Sequence, residues 1–146
     1  MEIRPAVPAE LPAVTDLIER AFALYVGRIG RRPAPMDDDY GAHIDRGDAF
    51  VCGEPVAGLV VGVDEPGGLH VLCLAVGLGH QGTGLGRALM GHAEAVARER
   101  GHPEVRVYTN AAMRESLAFY PRLGYREVDR RVEDGYSRVY FVKALG

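Results

Sequence analysis

Little in this chain points to any of the specialised protein classes. Only one of its 17 basic residues, Lys143, is a lysine, and 20 acidic residues outweigh them to leave a net charge of −3. Because the basic residues are spread along the whole length, the footprint expected of a nucleic-acid partner is missing. The arginine bias is read as coding composition and carries no function. Cysteine is almost absent. Cys52 and Cys73 each sit in an apolar, strand-like run and share no ligand spacing with one another or with the five histidines. That excludes a disulfide framework and predicts two free, buried thiols. His43, His80, His92 and His102 show no i, i+4 pairing on a helix face, so no metal site is expected. No apolar stretch approaches the ~18 residues of a membrane span. The opening Met1-Glu2-Ile3-Arg4-Pro5 has no charged-then-apolar run of the signal-peptide kind. A cytoplasmic protein without a membrane partner is expected.

What is present is an ordinary globular composition. The 146 residues are 47% hydrophobic and 25% charged, enough to bury a core in one soluble domain spanning 1–146. The 19 glycines and 9 prolines recur with no period, which removes collagen-like and low-complexity readings.

Ile3 to Ala6 reads as a short strand. Leu11, Val14, Ile18, Phe22 and Tyr25 then recur at helical spacing. Gly27 to Met36 holds glycine, proline and three arginines and is expected to be a loop. Asp37, Asp38 and Asp39 precede a second short helix, where capping explains acidic residues. Two strands flank Gly53-Glu54-Pro55, and a third, Leu69 to Val76, is apolar on both faces. Strict alternation puts Leu72, Leu74 and Val76 on one face and Val71, Cys73 and Ala75 on the other, so helices must cover both sides.

A helix follows from Gly84 to Arg100, with a Glu94 to Arg98 pair expected on its surface and Gly101 as its stop. A strand around Val105 to Tyr108, a helix from about Ala112 to Leu123, and two strands around the Asp134-Gly135 turn complete the chain. The expected order is β-α-α-β-β-β-α-β-α-β-β, a mixed α/β (α+β) domain with a central sheet of about seven strands.

The segment Val76 to Ala88, V-G-L-G-H-Q-G-T-G-L-G-R-A, places five glycines between a buried strand and a helix start. Such a loop lets backbone N–H groups approach an anion closely while the helix end adds partial positive charge. Phosphate or pyrophosphate is the natural guest, and a bare strand-to-helix turn is the plain alternative. Gly77, Gly79 and Gly82 spell G-x-G-x-x-G, the dinucleotide fingerprint. That reading requires an acidic residue at the end of the next strand, which instead ends Thr109-Asn110, and only 36 residues remain after Asn110. No Gly-Lys-Ser/Thr follows the glycines, so a P-loop fails as well.

Parsed instead as Gln81, Gly84, Gly86 and Arg87, the loop is a Q-x-x-G-x-G followed by arginine. It resembles the acetyl-CoA signature of the GNAT superfamily of N-acetyltransferases. F-Y-P-R-L-G-Y at Phe119 to Tyr125 is similar to that family's aromatic-Tyr-x-x-x-Gly-aromatic segment, and the element order matches along nearly the whole chain. The resemblance implies acetyl-CoA as co-substrate. Its pyrophosphate would be cradled by Gln81, Gly82, Thr83, Gly84, Leu85, Gly86 and Arg87, and its pantetheine arm would lie along Leu74, Ala75 and Val76. It further implies that the Leu74 N–H polarises the thioester carbonyl and that Tyr120 protonates the departing sulfur.

His70 falls where some members place a general-base glutamate, and a satisfied strand-end histidine is the competing reading. Two positions depart from the pattern. Pro121 disfavours helical geometry at Tyr120, and Met113 replaces an asparagine that contacts the cofactor, leaving Asn110 and Ser116 as the polar candidates there, with an N-cap of the next helix as the competing reading of Asn110. Cys73 has no base signalled beside it, so direct attack in a ternary complex is implied.

By resemblance, the segment from Tyr25 to Tyr40 and the last strand pair shape the acceptor pocket. There Asp37 to Asp39 could draw a cationic amine, Arg28, Arg31 and Arg32 could hold an anion, or all six could face solvent. A small amine is expected in preference to a protein, and an edge-strand homodimer is a family habit. A CoA-binding module without catalysis and an NAD-binding domain are the rival functions.

Overall fold

A computed structural model describes residues 1–146. Its elements are β1 (Ile3–Pro5), α1 (Leu11–Ile29), α2 (Tyr40–Asp45), β2 (Ala49–Cys52), β3 (Gly58–Glu65), β4 (Gly68–Val76), α3 (Leu85–Glu99), β5 (Glu104–Asn110), α4 (Arg114–Arg122), β6 (Arg126–Glu133) and β7 (Tyr136–Ala144). The expected order holds, and the strands form one sheet arranged β1-β2-β3-β4-β5-β7-β6. Only β4 and β5 run parallel, so α3 crosses over one face to join them.

Apolar burial forms two clusters, one on each face of the sheet. On one, α1 and α2 lay Val14, Ile18, Phe22 and Ile44 over Val51, Leu59 and Val61. On the other, α3 and α4 lay Leu89, Met90, Ala93 and Tyr120 over Val60, Val107 and Phe141. No helix is long and apolar enough to cross a membrane.

The alternation along β4 is broken. Val61 pairs with Cys73 while its neighbour Gly62 pairs with Val71, so Leu72 is an extra residue, a β-bulge. Val71 therefore packs on the α3 face while Cys73 and Ala75 pack on the α1 face, against strict alternation. One inserted residue reverses the side of every residue after it. At the same point β4 parts from β5. The two are paired only at Leu69, His70 and Val71 with Val105, Arg106 and Val107, which leaves a split between them from Leu72 to Val76.

Four local expectations are corrected. Helix α1 continues through Gly27 and Arg28 to Ile29 and stops at Gly30, φ 84°. A helical glycine costs only about 1 kcal/mol, whereas a left-handed cap ends the helix outright. In the acidic triplet only Asp39 caps α2, accepting from Ala42 N–H at 3.1 Å; Asp37 pairs with Arg32 at 3.0 Å and Asp38 with His43 at 3.2 Å.

Glu94 does not pair with Arg98 on the surface. It is buried, accepting from the Tyr125 hydroxyl at 2.9 Å and the Lys143 ammonium at 3.0 Å. Pro121 does not displace Tyr120 from α4. Pro121 sits in the last turn, where its missing N–H costs a single bond. The turn is closed by Tyr125 N–H to Tyr120 C=O at 3.1 Å and Gly124 N–H to Pro121 C=O at 3.0 Å. With Gly124 at φ 93° this is a Schellman cap, and its accompanying apolar contact is the Tyr120–Tyr125 ring pair at 5.8 Å.

Candidate active site

The split beside β4 is the centre of the site. Gly77 N–H bonds to Ala57 C=O on the β3 side at 2.7 Å. Backbone groups alternate sides along a strand, so Ala75 also faces β3 while Leu74 and Val76 turn theirs to the open side. The Gln81 side-chain amide reaches the Val76 carbonyl there at 3.4 Å.

Beyond β4 the glycine loop presents bare amides. No backbone hydrogen bond is donated by any residue from Gln81 to Arg87, and the first is Ala88 N–H to Gly84 C=O at 3.0 Å. Gly82 and Gly84 hold φ of 77° and 88°, values costly for any side chain, with open space where a Cβ would point. A Cβ on Gly86 would come within 3.3 Å of the Phe119 ring. Unpaired N–H groups at the start of a fifteen-residue helix suit an anion.

Two cavities meet at this split. A groove of about 530 Å³ is walled by Leu24 and Tyr25 of α1, Leu74 to Val76, the loop residues Gln81, Gly82, Gly84, Gly86 and Arg87, and Phe119 of α4. This is the size range of small-molecule sites, and its amide-rich end and open strand edge fit the pyrophosphate and arm of acetyl-CoA. A second, compact cavity of about 70 Å³ lies on the other side. Its walls include Ile29, Pro33, Ala34 and Pro35 from the segment after α1, and Tyr136 and Arg138 from β7. Phe22, Leu74, Met113 and Ser116 line both cavities and so mark their junction.

Tyr120 lines the compact cavity, buried among Phe119, Tyr125 and Phe141. Burial raises its phenol pKa above the ordinary value, so it is a proton donor and not a phenolate at neutral pH. Cys73 also lines this cavity, and burial pushes its thiol up to about 12. His70 lies outside both linings, with its ring stacked on Tyr108 at 5.2 Å. Burial lowers its pKa, which keeps the imidazole neutral at pH 7.

Thr83 and Leu85 flank the groove-lining loop residues. Asn110 lines the compact cavity and not the groove, while Ser116 reaches both. The arginines weighed for an acceptor anion are otherwise engaged. Arg28 pairs with Glu115 at 2.7 Å, Arg32 with Glu19 at 2.7 Å, and Arg31 donates to the Asp134 carbonyl at 2.8 Å. No group of histidine, cysteine and acidic side chains is arranged to hold a metal ion. Sequence reasoning passed over Tyr108, Tyr136 and Arg138. Their one signal was tyrosine and arginine at alternate positions on β7 beside Tyr108 on β5.

The model of the acetyltransferase (GNAT) family matches residues 12–125, and the chain belongs to that family. Acetyl transfer from acetyl-CoA is accordingly its class of chemistry. Among solved structures, the PaiA N-acetyltransferase from Thermoplasma acidophilum, in complex with coenzyme A, is 16% identical over 98% of each chain, with a TM-score of 0.81. YncA from Salmonella typhimurium, solved with its cofactor acetyl-CoA, is 19% identical over 100% of this chain and 94% of that one, TM-score 0.74. The ribosomal-protein-S18-alanine N-acetyltransferase from Escherichia coli is 19% identical over 99% and 93%, TM-score 0.72. At these identities the likeness is one of fold. No curated protein sequence matches the chain.

Proposed function

We propose that this protein is an N-acetyltransferase that moves the acetyl group of acetyl-CoA to a primary amine of a small molecule by direct attack in a ternary complex. The observation that carries this reading is the meeting of the two cavities at Leu74, within a split strand edge whose far end is a loop of unpaired amides. In this reading the amides of Gln81 to Arg87 hold the pyrophosphate, and the open backbone groups of Leu74 with the Val76 N–H take the pantetheine arm as an added strand.

The amine nitrogen forms its bond to the acetyl carbonyl carbon as the carbon–sulfur bond breaks. The Leu74 N–H stabilises the charge gathering on the carbonyl oxygen. Tyr120 delivers a proton to the leaving sulfur, and the proton lost by the amine passes to water or a base. His70 is held in the neutral form a base requires, one layer behind Tyr108. The high thiol pKa of Cys73 argues against an acyl-enzyme, since only a thiolate attacks. The small acceptor is supported by the compactness of the second cavity and its roof of Pro33, Ala34 and Pro35.

Calorimetric titration with acetyl-CoA, with NAD as control, followed by a panel of small amines assayed for CoA release, tests the proposal. Binding of acetyl-CoA and turnover of some amines are expected. Binding without turnover would favour a CoA-binding module, and absence of binding by folded protein would overturn the reading.

A further inference from the structure

The compact cavity carries charge of one sign only. Arg138 is the single ionic side chain in its lining, and no carboxylate is among the lining residues. The guanidinium is 14% exposed, and its nearest carboxylate is Glu133 at 3.8 Å, itself the acceptor of the Tyr140 hydroxyl. It is held in place by Tyr108 and Tyr136, whose ring centres lie 4.5 and 5.5 Å from it. The two rings contact the cation through their faces, and with Glu133 beyond hydrogen-bond distance the guanidinium N–H groups remain available as donors.

Asn110 stands directly opposite Arg138 in the β5–β7 register. Opposed residues in an antiparallel pair share a face with Cβ atoms about 5 Å apart. The Asn110 side-chain oxygen Oδ1 accepts from Ala112 N–H at 2.9 Å, which leaves its NH₂ as the donor available to a ligand. A cation and an amide donor therefore sit side by side in a mostly apolar chamber.

An acceptor amine arrives largely as an ammonium, which this chamber has nothing to neutralise. A half-buried cation whose one carboxylate neighbour, Glu133, stands outside the cavity lining and beyond hydrogen-bond distance suits a ligand that brings its own negative charge. We propose that the acceptor is a compact amino acid-like molecule whose carboxylate is held by Arg138 and Asn110 while its amine faces Leu74. This rests on the acetyltransferase reading above and names the substrate class for it. The apolar walls, Phe22, Ile29, Pro33 and Met113 among them, suit a short hydrocarbon side chain on that acceptor.

The test compares matched small amines with and without the carboxylate: alanine against ethylamine, 2-aminobutyrate against propylamine, valine against isobutylamine. O-phosphoethanolamine serves as the alternative anion. In the unaltered protein kcat/KM should favour the carboxylate member of at least one pair by about 10- to 100-fold, the range of one charge-assisted contact. Arg138→Gln should collapse that preference to within about 3-fold, leave the decarboxylated amines and the acetyl-CoA affinity unchanged, and Arg138→Lys should retain part of it.

Equal or better turnover of the decarboxylated amines, preference for O-phosphoethanolamine, or equal loss for both members of a pair in Arg138→Gln would each overturn the proposal. So would acetyl-CoA binding with no turnover of any member. If the protein fails to bind acetyl-CoA at all, it is the underlying acetyltransferase reading that falls. The matched-pair comparison stands on the unaltered protein even if a variant does not fold.

Discussion

Burial decides the chemistry available to single residues here. Tyr120 and Cys73 line the same small cavity, and desolvation raises both above their ordinary pKa values. For a phenol meant to give a proton to a leaving thiolate this is compatible with function; for a thiol meant to attack it is disabling. Tyr120→Phe should accordingly lower kcat by about 10²-fold or more while leaving the calorimetric affinity for acetyl-CoA unchanged. An unaffected kcat would take Tyr120 out of the mechanism.

His70 moves the opposite way, because desolvation disfavours the imidazolium, with Arg106 and Arg138 adding to it and Glu65 opposing. Its folded-state pKa lies below the unfolded value of about 6.5. Below that pH the unfolded chain binds more protons than the folded one, so stability falls as pH drops from 6.5 towards the lowered value and is untouched above it. In His70→Gln the thermal midpoint should fall less between pH 7 and pH 5.5 than in the unaltered protein. Some slope should survive, since His92 is lowered by burial in the same sense. An unchanged kcat/KM profile in the same variant would separate this pH-dependent loss of stability from a role as base.

At the scale of elements, the Leu72 bulge has the largest consequence. It ends the β4–β5 pairing and turns Cys73 and Ala75 to the α1 face, so the same residue opens the split and sets which side chains border it. A second device ties α3 to the end of the sheet. The chain's only lysine, Lys143 on β7, donates to Glu94, whose other oxygen accepts from Tyr125 just after α4. Lys143→Met should destabilise the fold by about 1–3 kcal/mol, because it strands a buried carboxylate. Glu94→Gln in the same background should recover part of the loss. Urea unfolding of the unaltered protein, both single variants and the double variant measures both effects, and additive losses would show that no such coupling exists.

In the whole molecule, the groove draws its walls from Ala21 of α1 to Leu123 after α4, and the Arg28–Glu115 pair joins those two helices. A ligand filling it touches segments that meet only in the folded state. Acetyl-CoA at ~100 times its Kd should therefore add about 2.7 kcal/mol to stability, seen as a raised unfolding temperature. NAD should produce no shift, and a shift with NAD would restore the dinucleotide reading of the glycine loop.

The element order, the two-sided burial of β4, and the placing of the glycine loop between a buried strand and a helix start were legible in the amino-acid sequence. Each rests on local signals: apolar periodicity, glycine spacing, and residues within one turn or strand of each other. The bulge at Leu72, the burial of Glu94 and the union of Arg138 with Asn110, Tyr108 and the Pro33–Pro35 segment were not. These depend on register between strands far apart in the chain, and a shift of one residue in pairing exchanges which side chains share a face. Periodicity tells a segment which of its faces is apolar. Only the assembled sheet decides which other segment that face will meet, and so which charges line a cavity.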